Sequence, residues 1–378
     1  MTMDIVTITI CCSLLLLAII SPFCNGLFRK PRQKTKIGDL NKLPSLSVVI
    51  AAHDSAIELQ KNLPLILEQE YDGEFEVVVV DEASTDNTTD VIKLLKAKYP
   101  NLYSTFIPST SRYLSRKKLA LTIGMKAAKN EWVIITDANC YPTSKNWLST
   151  MASGCSDDKD LVIGYGNYSY NTSDFLRYER LRTTCYALSA AMRGTAYRCN
   201  TCNLALRKSV FMNNNGFLKN LKYLRGEYDF IVNEFASKNN TAIVLNLDAT
   251  IRQEIVSRKM RIDSLTYYYE TRKHLKRSFL YRFIQFLDSA LLHISYVAII
   301  LSIIYAILTS NTVVLSVSLS ALIITLALRL LVARKTIKHL KEELNICMIP
   351  FYEIYSLWFN IYLMIRHKLS DKHDFIRK

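Results

Sequence analysis

The sequence predicts an α/β domain with a mainly parallel β-sheet, accompanied by apolar segments that are long enough to cross a membrane. In the first half of the chain, short apolar runs rich in β-branched residues alternate with segments of helical spacing, which is typical of βαβ units. Three apolar runs lie outside that alternating region, at residues 5–23, 289–308 and 312–328. Each is close to the roughly 20 residues that a helix needs to span a ~30 Å hydrocarbon core.

The first apolar run is predicted to be a membrane anchor, residues 1–25. No positive side chain precedes it, which argues against a cleaved signal peptide. A basic linker follows at 26–44, and a second basic segment at 333–343 follows the predicted transmembrane hairpin, 284–334. Positive charge stays on the cytoplasmic side of a membrane, so both segments place the central domain in the cytoplasm. The basic residues of the linker are Arg29, Lys30, Arg32, Lys34 and Lys36.

A fourth apolar stretch, residues 346–365, contains Pro350, Glu353 and Asn360. If it crossed the membrane, the basic tail behind it would lie outside the cell, against the positive-inside rule. The sequence therefore favours a helix or re-entrant segment in the cytoplasmic interface. It would form a final region, 335–378, together with the tail, and a fourth span is the alternative.

Charge and glycine usage exclude several functions. The formal net charge is +15, which attracts a membrane-bound domain to anionic lipid head groups. No nucleic-acid-binding motif accompanies this charge, so nucleic acid is not an expected partner. The chain has ten glycines and neither G-x-G-x-x-G nor the P-loop pattern. A dinucleotide site and a P-loop are therefore not expected.

The central domain, residues 45–262, is predicted to begin with a strand at 46–52 and a helix. A strand–loop–helix unit at 74–100 and a third strand at 102–108 come next, before a helix and a fourth strand ending at Asp137. Parallel strands present their carboxyl ends at one edge of a sheet, and ligands bind beyond that edge. The polar residues that follow the strands are His53, Asp54, Asp81, Glu82, Asp137 and Asn139.

The stretch Asp137-Ala138-Asn139 is predicted to bind a divalent cation. Asp137 follows a buried strand, and Asn139 can offer a neutral carbonyl oxygen where a second carboxylate would bind more strongly. Such a cation would depend on a bound diphosphate for further ligands. The structural alternative is that Asp137 merely ends a strand.

Four stretches resemble the motifs of family 2 glycosyltransferases. "VDEASTDNT" (80–88) resembles the VDD-x-S-x-D-x-T turn, and residues 116–142 resemble the K-x-x-AL…G…A…DAD-x-x-P stretch. "GEYDFIVNEFA" (226–236) resembles the GEDD-type motif, and "YYYETRKH" (267–274) resembles the Q-x-x-R-W region. Their order and spacing match over roughly residues 45–275. An N-terminal anchor with a C-terminal hairpin also resembles membrane-bound bacterial members.

The resemblance implies a GT-A fold, which is Rossmann-like with a mainly parallel sheet. It also implies a nucleotide-diphospho-sugar donor, which we expect to be a UDP-sugar, Mn²⁺ or Mg²⁺, and single-displacement transfer with inversion. The expected acceptor is a lipid-linked or membrane-proximal glycan at the cytoplasmic face of the inner membrane. Membrane lipids and other enzymes of glycan synthesis are the further partners expected.

Residue by residue, the resemblance implies two sets of ligand-binding positions. The metal would be held by Asp137 and Asn139, the latter standing where the family has a second Asp. The donor would be bound by Ala51, His53, Ser55, Asp81, Glu82, Lys117, Lys118 and Asp137.

The resemblance also implies catalytic roles for Glu227, Asp229 and Lys273. Tyr228 stands where the family has the Asp that is usually the base, and Glu270 and Lys273 stand for the Gln and Arg of Q-x-x-R. Residues 263–283 are predicted to form an amphipathic helix at the membrane interface that could close the site. Because of these departures, a catalytically silent relative acting as a nucleotide-sugar-binding or scaffold partner is the alternative.

Overall fold

The computed structural model describes residues 4–29, 31, 43–111, 115–255, 257–371 and 375. The chain separates into two compact units. One comprises Met1–Lys30 with Arg277–Ile361, and the other Pro31–Lys276 with Tyr362–Lys378. Most of the predicted basic linker, including Lys30, Arg32, Lys34 and Lys36, lies outside the described residues.

The elements follow the order that the sequence predicts, with additional short strands after the fourth. The strands are β1 Leu46–Ala52, β2 Phe75–Asp81, β3 Leu102–Phe106, β4 Trp132–Asp137, β5 Cys140–Pro142, β6 Leu161–Gly164, β7 Gly166–Tyr168, β8 Leu204–Arg207, β9 Thr241–Val244 and β10 Ile251–Gln253. The helices are α1 Ile5–Phe23, α2 Ala56–Leu67, α3 Thr88–Lys98, α4 Arg116–Ala127, α5 Trp147–Ala152, α6 Asp174–Met192, α7 Lys208–Asn213, α8 Glu227–Phe235, α9 Arg258–Thr271, α10 Phe279–Leu308, α11 Thr312–His339 and α12 Ile349–Leu369.

The larger unit contains a seven-stranded sheet in the order β3-β2-β1-β4-β8-β6-β9. The first four strands of that order are parallel, β8 is antiparallel to both of its neighbours, and β9 is parallel to β6. A second sheet of three short strands has the order β5-β10-β7. The predicted α/β fold with a mainly parallel sheet is confirmed.

The strand register brings the predicted site residues to one edge. Ala51 pairs with Asp137 on one side of β1, and Ala52 pairs with Asp81 on the other. The central strands are buried on both faces, as expected for parallel strands that helices cover. Helix α4 comes close to β1 at Gly124, where a Cβ would lie 2.4 Å from a methyl carbon of Val49. Glycine at this position therefore lets α4 pack directly on the strands that carry the site.

A buried amide joins the two sheets. The Asn203 Nδ2 donates to the carbonyl oxygens of Tyr165 at 2.9 Å and Ala249 at 2.7 Å. Its Oδ1 accepts from the Trp147 indole at 3.2 Å. A buried amide with both ends bonded fixes the approach of neighbouring segments, and here it positions the chain that enters β7 and β10.

Among the described residues of the smaller unit, three helices are long and apolar enough to cross a membrane: Ile5–Arg29, Phe279–Leu308 and Thr312–His339. The predicted anchor and hairpin are therefore present as helices, although α10 and α11 extend beyond the predicted bounds, 284–334. Leu14 and Ala18 of α1 pack with Ile299 of α10 and Ala321 of α11.

The predicted interfacial helix at 263–283 is not continuous. Helix α9 ends at Thr271 and α10 begins at Phe279. Within the larger unit, Asn233 of α8 accepts from the Lys276 N–H at 2.9 Å and donates to its carbonyl oxygen at 3.0 Å. A side chain that takes both backbone groups of one residue competes with helical hydrogen bonding there, which explains the break.

The smaller unit also contains a buried ionic cluster that the sequence did not predict. Arg329 of α11 donates to Glu353 of α12 at 2.9 Å and to the Ser21 hydroxyl at 2.6 Å. Asn25 donates to the other oxygen of Glu353. The carboxylate in the fourth apolar stretch is therefore an internal partner of Arg329 within this unit.

Candidate active site

The loop after β2 is organised around Asp81. The Asp81 Oδ1 accepts from the backbone N–H of Ser84 at 2.9 Å and from its hydroxyl at 2.6 Å, and Oδ2 accepts from Thr89 at 2.8 Å. The loop after β1 is bonded to it, because Asp54 accepts from the Thr85 N–H at 2.7 Å and the Ser55 N–H donates to Thr88 at 2.8 Å. The two strand-end loops therefore form one pre-shaped rim.

The remaining predicted donor-binding residues of this rim differ in exposure. Ala51 is buried, His53 is exposed, and Ser55 donates to the His53 carbonyl oxygen at 2.8 Å. Glu82 is buried, and burial raises its pKa to about 7 despite the nearby positive charges of Lys117 and Arg225. Glu82 therefore changes its charge near neutral pH.

Asp137 is the centre of a buried hydrogen-bonded cluster. Its Oδ1 accepts from the Lys117 ammonium of α4 at 2.7 Å and from the Tyr228 hydroxyl of α8 at 2.8 Å. The Cys202 thiol contacts Oδ2 at 3.4 Å. Burial opposes ionisation of Asp137, but the Lys117 charge and these hydrogen bonds lower its pKa below the usual value. Asp137 and Lys117 thus form a buried ion pair.

The oxygens available to a divalent cation are few. Asn139 donates its Nδ2 to the Glu254 carbonyl oxygen at 2.8 Å, while its Oδ1 accepts only a long 3.4 Å contact from Gln253 and a 3.7 Å contact from the Cys140 thiol. In the described part of the chain, no group of three or more His, Cys, Asp or Glu side chains is arranged to hold a metal ion. Asp137 Oδ2 and Asn139 Oδ1 have weak partners, and Mg²⁺ is commonly bound by one or two protein oxygens together with substrate phosphates. These two residues therefore fit a cation shared with a diphosphate.

The neighbouring lysine has different contacts. The Lys118 ammonium is buried and donates to the carbonyl oxygens of Asn220 and Tyr223, each at 2.6 Å, and it lies 4.9 Å from the centre of the Phe230 ring. Burial lowers the pKa of Lys118 to about 8. Its contacts fasten the segment before α8, so its predicted role in donor binding has no direct contact to support it.

The motif at 226–229 forms the start of α8. Gly226 has a φ of +97°, and a Cβ there would lie 2.7 Å from a methyl carbon of Thr271, so only glycine fits this turn. Asp229 pairs with Arg198 at 3.3 Å, although burial keeps the Asp229 pKa above its usual value. The Glu227 Oε1 is buried without a hydrogen-bond partner among the described residues. Of the two predicted catalytic carboxylates, Glu227 is the one free to accept a proton.

Lys273, the third predicted catalytic residue, is half exposed and pairs with Glu270 at 2.7 Å. Glu270 also contacts His274 at 3.2 Å and His367 of α12 at 2.8 Å. Partial burial opposes ionisation of Glu270, but the hydrogen bonds from these three side chains and the Lys273 charge lower its pKa to about 2. Lys273 is therefore part of a surface ionic cluster at the end of α9.

A cavity of about 240 Å³ lies beside the first turn of α8. Its wall includes Asn139 and the start of α8, with Glu227, Tyr228 and Asp229. Further cavity-lining residues are Tyr168, Arg180, Arg198, Cys202, Arg225, Gln253, Glu254, Arg261 and Tyr268. The structure thus brings Asn139, Glu227 and Asp229 to one cavity, while Lys273 does not line it.

The arginines of the cavity wall and the thiol of Cys202 were not predicted from the sequence. Arg180 lies on α6, Arg198 and Arg225 lie on loops, and Arg261 lies on α9. Their separation in sequence gives no motif. Cys202 was visible as the second cysteine of "CNTC", but its contact to Asp137 depends on a left-handed backbone conformation, with φ +51°.

Comparisons with known proteins agree with this geometry. Residues 47–214 match the sequence model of Glycosyl transferase family 2. The uncharacterized glycosyltransferase YibD of Escherichia coli (strain K12) is 23% identical over 151 residues, which are 38% of this chain and 42% of YibD. Glycosyltransferase AglE of Haloferax volcanii is 28% identical over 174 residues, which are 44% of this chain and 54% of AglE. The chain spans about half the length of these curated relatives.

A solved structure shares the fold. The mannosyltransferase PcManGT from Pyrobaculum calidifontis, in complex with GDP-Man and Mn²⁺, superposes with a TM-score of 0.53 at 17% identity. The superposition covers 85% of this chain and 98% of that one. At this identity the likeness concerns the fold alone. The family match and the strand-end geometry agree: residues 47–214 form a family 2 glycosyltransferase domain with the GT-A fold.

Proposed function

We propose that the protein is a membrane-bound inverting glycosyltransferase that transfers a sugar from a nucleotide-diphospho-sugar to a lipid-linked or membrane-proximal glycan. The observation that carries this proposal is the meeting of three features at one sheet edge. These are the pre-shaped rim around Asp81, the Lys117–Asp137 pair, and the unpartnered carboxylate oxygen of Glu227 at the cavity.

The chemistry assigned to the residues follows from their positions. The rim formed by the β1 and β2 loops would bind the nucleotide, and Lys117 would attract the donor diphosphate. Glu227 would take the proton from the acceptor hydroxyl as that oxygen attacks the anomeric carbon and the bond to the diphosphate breaks. Asp137 and Asn139 would hold the divalent ion, which would supply positive charge for the leaving diphosphate.

The proposal also includes the nucleotide of the donor and the cellular location of the protein. The family resemblance suggests a UDP-sugar, whereas the structural relative was solved with GDP-Man, so both nucleotides belong in any test. The three apolar helices and the basic segments beside them support an inner-membrane protein with its catalytic domain in the cytoplasm. A site held at the bilayer would suit an acceptor that is itself attached to lipid, and neighbouring enzymes of glycan synthesis could supply it.

One observation favours the alternative of a catalytically silent relative. The Tyr228 hydroxyl bonds to Asp137 at the position where the family usually has the catalytic Asp. A protein that only binds a nucleotide-sugar or a partner enzyme would tolerate this substitution.

Release of nucleoside diphosphate by the detergent-purified full chain tests the proposal. A panel of UDP- and GDP-sugars is offered with Mn²⁺, Mg²⁺ or EDTA and with membrane lipid extract as the acceptor source. We expect metal-dependent release from one donor, lost in Asp137→Ala. Nucleotide binding by calorimetry without release from any donor would favour the silent relative, and folded protein that neither binds nor releases would contradict the nucleotide-sugar function.

A further inference from the structure

Four arginines and three carboxylates line the cavity, and two of the arginines have no carboxylate partner among the described residues. Two of its arginines, Arg180 and Arg261, lie against the same aromatic ring: their guanidinium carbons are 4.5 Å and 4.2 Å from the centre of the Tyr168 ring. We call these two residues the arginine pair. Two like charges next to one ring repel each other, so a nearby anion would stabilise the arrangement.

Arg261 has no anionic partner among the residues that the structure describes. Its guanidinium has the contact to Tyr168, and its Nε is buried without a hydrogen-bond partner. Burial lowers the pKa of Arg261, and no neighbouring carboxylate counteracts that shift. A half-buried arginine whose Nε lacks a partner is costly without an anion, and its position at the wall of a cavity gives a ligand access to it.

The partners of Arg180 among the described residues are neutral. Its two terminal nitrogens donate to the Tyr168 hydroxyl at 2.8 Å and to Gln253 at 3.1 Å, and its Nε is buried and unbonded. Arg198 in the same wall provides the contrast, because it pairs with Asp229 at 3.3 Å. Among the described residues, Arg198 therefore has a carboxylate partner and neither member of the arginine pair has one.

The arginine pair lies on different elements from the predicted nucleotide rim, which favours a role in acceptor binding. The pair lies on α6 and α9, against Tyr168 of the second sheet. The predicted nucleotide rim belongs to β1 and β2 of the main sheet, and Asp81 and Glu82 do not line the cavity. Guanidinium groups bind the oxygens of phosphate through several charge-assisted hydrogen bonds.

We propose that the arginine pair binds a phosphate group of the acceptor, so that the acceptor substrate is a phosphate-bearing molecule. This inference rests on the proposed glycosyltransferase function, since it assigns the second substrate of the same site. The phosphate could belong to a lipid head group or to a soluble molecule, and both present the same chemistry to the arginine pair.

Binding to the detergent-purified full chain tests the proposal without turnover. The probes are inorganic phosphate, inorganic pyrophosphate, farnesyl phosphate and farnesol, and UDP and GDP report the donor site separately. We expect farnesyl phosphate to bind at least tenfold more tightly than farnesol. Inorganic phosphate competing as well as farnesyl phosphate would indicate a soluble source, whereas preference for farnesyl phosphate would indicate a lipid head group; both outcomes support the site.

The variants are Arg261→Gln, Arg261→Lys and the control Lys259→Gln. Lys259 is an exposed lysine of the same helix and does not line the cavity. We expect Arg261→Gln to weaken binding of the phosphate probe about tenfold or more, Arg261→Lys to recover part of it, and Lys259→Gln to change nothing. Nucleotide binding should stay within about twofold in all three, which also shows that they fold.

Three results would overturn the proposal. In the first, farnesyl phosphate and farnesol bind equally. In the second, Arg261→Gln binds the phosphate probe as the wild type does. In the third, Arg261→Gln weakens nucleotide binding as much as phosphate binding, which would assign the arginine pair to the donor diphosphate. Failure of the proposed function looks different, because the wild type would then bind the phosphate probe and no nucleotide.

Discussion

The charged side chains on the two sides of the candidate site differ in whether the chain itself supplies their partners. On the side of the main sheet, the strand-end carboxylates have donors from the protein itself: Asp81 from Ser84 and Thr89, and Asp137 from Lys117 and Tyr228. On the side of the second sheet, Arg261 has no anion among the described residues. A carboxylate that accepts hydrogen bonds from its own chain fixes the conformation of its loop. An unpaired charge at a cavity is instead stabilised when a ligand of opposite charge binds there. The difference distinguishes the part of the site that is built in advance from the part that substrate completes.

The largest expected effect comes from removing Asp137, on the side of the site where the chain itself supplies the hydrogen-bond donors. Asp137→Ala should abolish nucleoside diphosphate release, at least about a hundredfold, and should destabilise the domain by about 3–5 kcal/mol, because Lys117 is left buried and unpaired. Activity and urea unfolding measure the two effects. The double variant Lys117→Met/Asp137→Ala is the control: it should recover most of the stability and none of the activity. If stability is not recovered, the two charges do not act as a pair.

The second effect separates the two carboxylates at the start of α8. Glu227→Gln should reduce release about a hundredfold, because the proposed base is lost, while the free energy of unfolding changes by less than about 1 kcal/mol. Asp229→Asn should instead cost about 2–3 kcal/mol of stability, because Arg198 loses its buried carboxylate partner. Nucleoside diphosphate release and urea unfolding, measured for both variants, separate the catalytic role from the structural role. Equal loss of stability in the two would mean that Glu227 is also a structural residue.

A third change would strengthen the weak cation site. Asn139→Asp adds a carboxylate beside Asp137, so Mn²⁺ should bind the UDP-loaded protein about tenfold more tightly. The change also removes the hydrogen bond from Asn139 to Glu254, which should cost about 1 kcal/mol. Calorimetric titration of Mn²⁺ measures the first effect and thermal unfolding the second. Unchanged Mn²⁺ affinity would place the metal elsewhere.

The smallest effect concerns Glu82, whose pKa burial raises to about 7. The folded state keeps a proton that the unfolded chain has already lost, so this residue's contribution to stability is complete at low pH and disappears as pH rises through about 7. Binding of UDP should weaken about two- to threefold over the same range, because an ionised Glu82 repels the diphosphate. Calorimetric titration of UDP at pH 6 and pH 8 measures the change in affinity. In Glu82→Gln both pH dependences should flatten, and a profile that stays steep would assign the titration to another group.

Much of the fold and half of the site could be predicted from the sequence because the relevant signals are local. The strands from Leu46 to Asp137 carry their own β-branched pattern, and their carboxyl ends must meet once the sheet is parallel. The break between α9 and α10 could not be predicted, because it depends on Asn233, which is distant in sequence from Lys276. The arginine pair is a similar case, since α6 and α9 meet only in the folded domain.

The Arg329–Glu353 pair of the smaller unit has a consequence for how the chain is made. Glu353 is separated from Arg329 by 24 positions along the chain, so it leaves the ribosome after Arg329. During that interval Asp288 of α10 is an acidic neighbour of Arg329, and Glu353 adds its hydrogen bond only after α12 has been made. Synthesis therefore completes this ionic cluster in a fixed order: a chain that stalls between α11 and α12 lacks the carboxylate that accepts the hydrogen bond from Arg329.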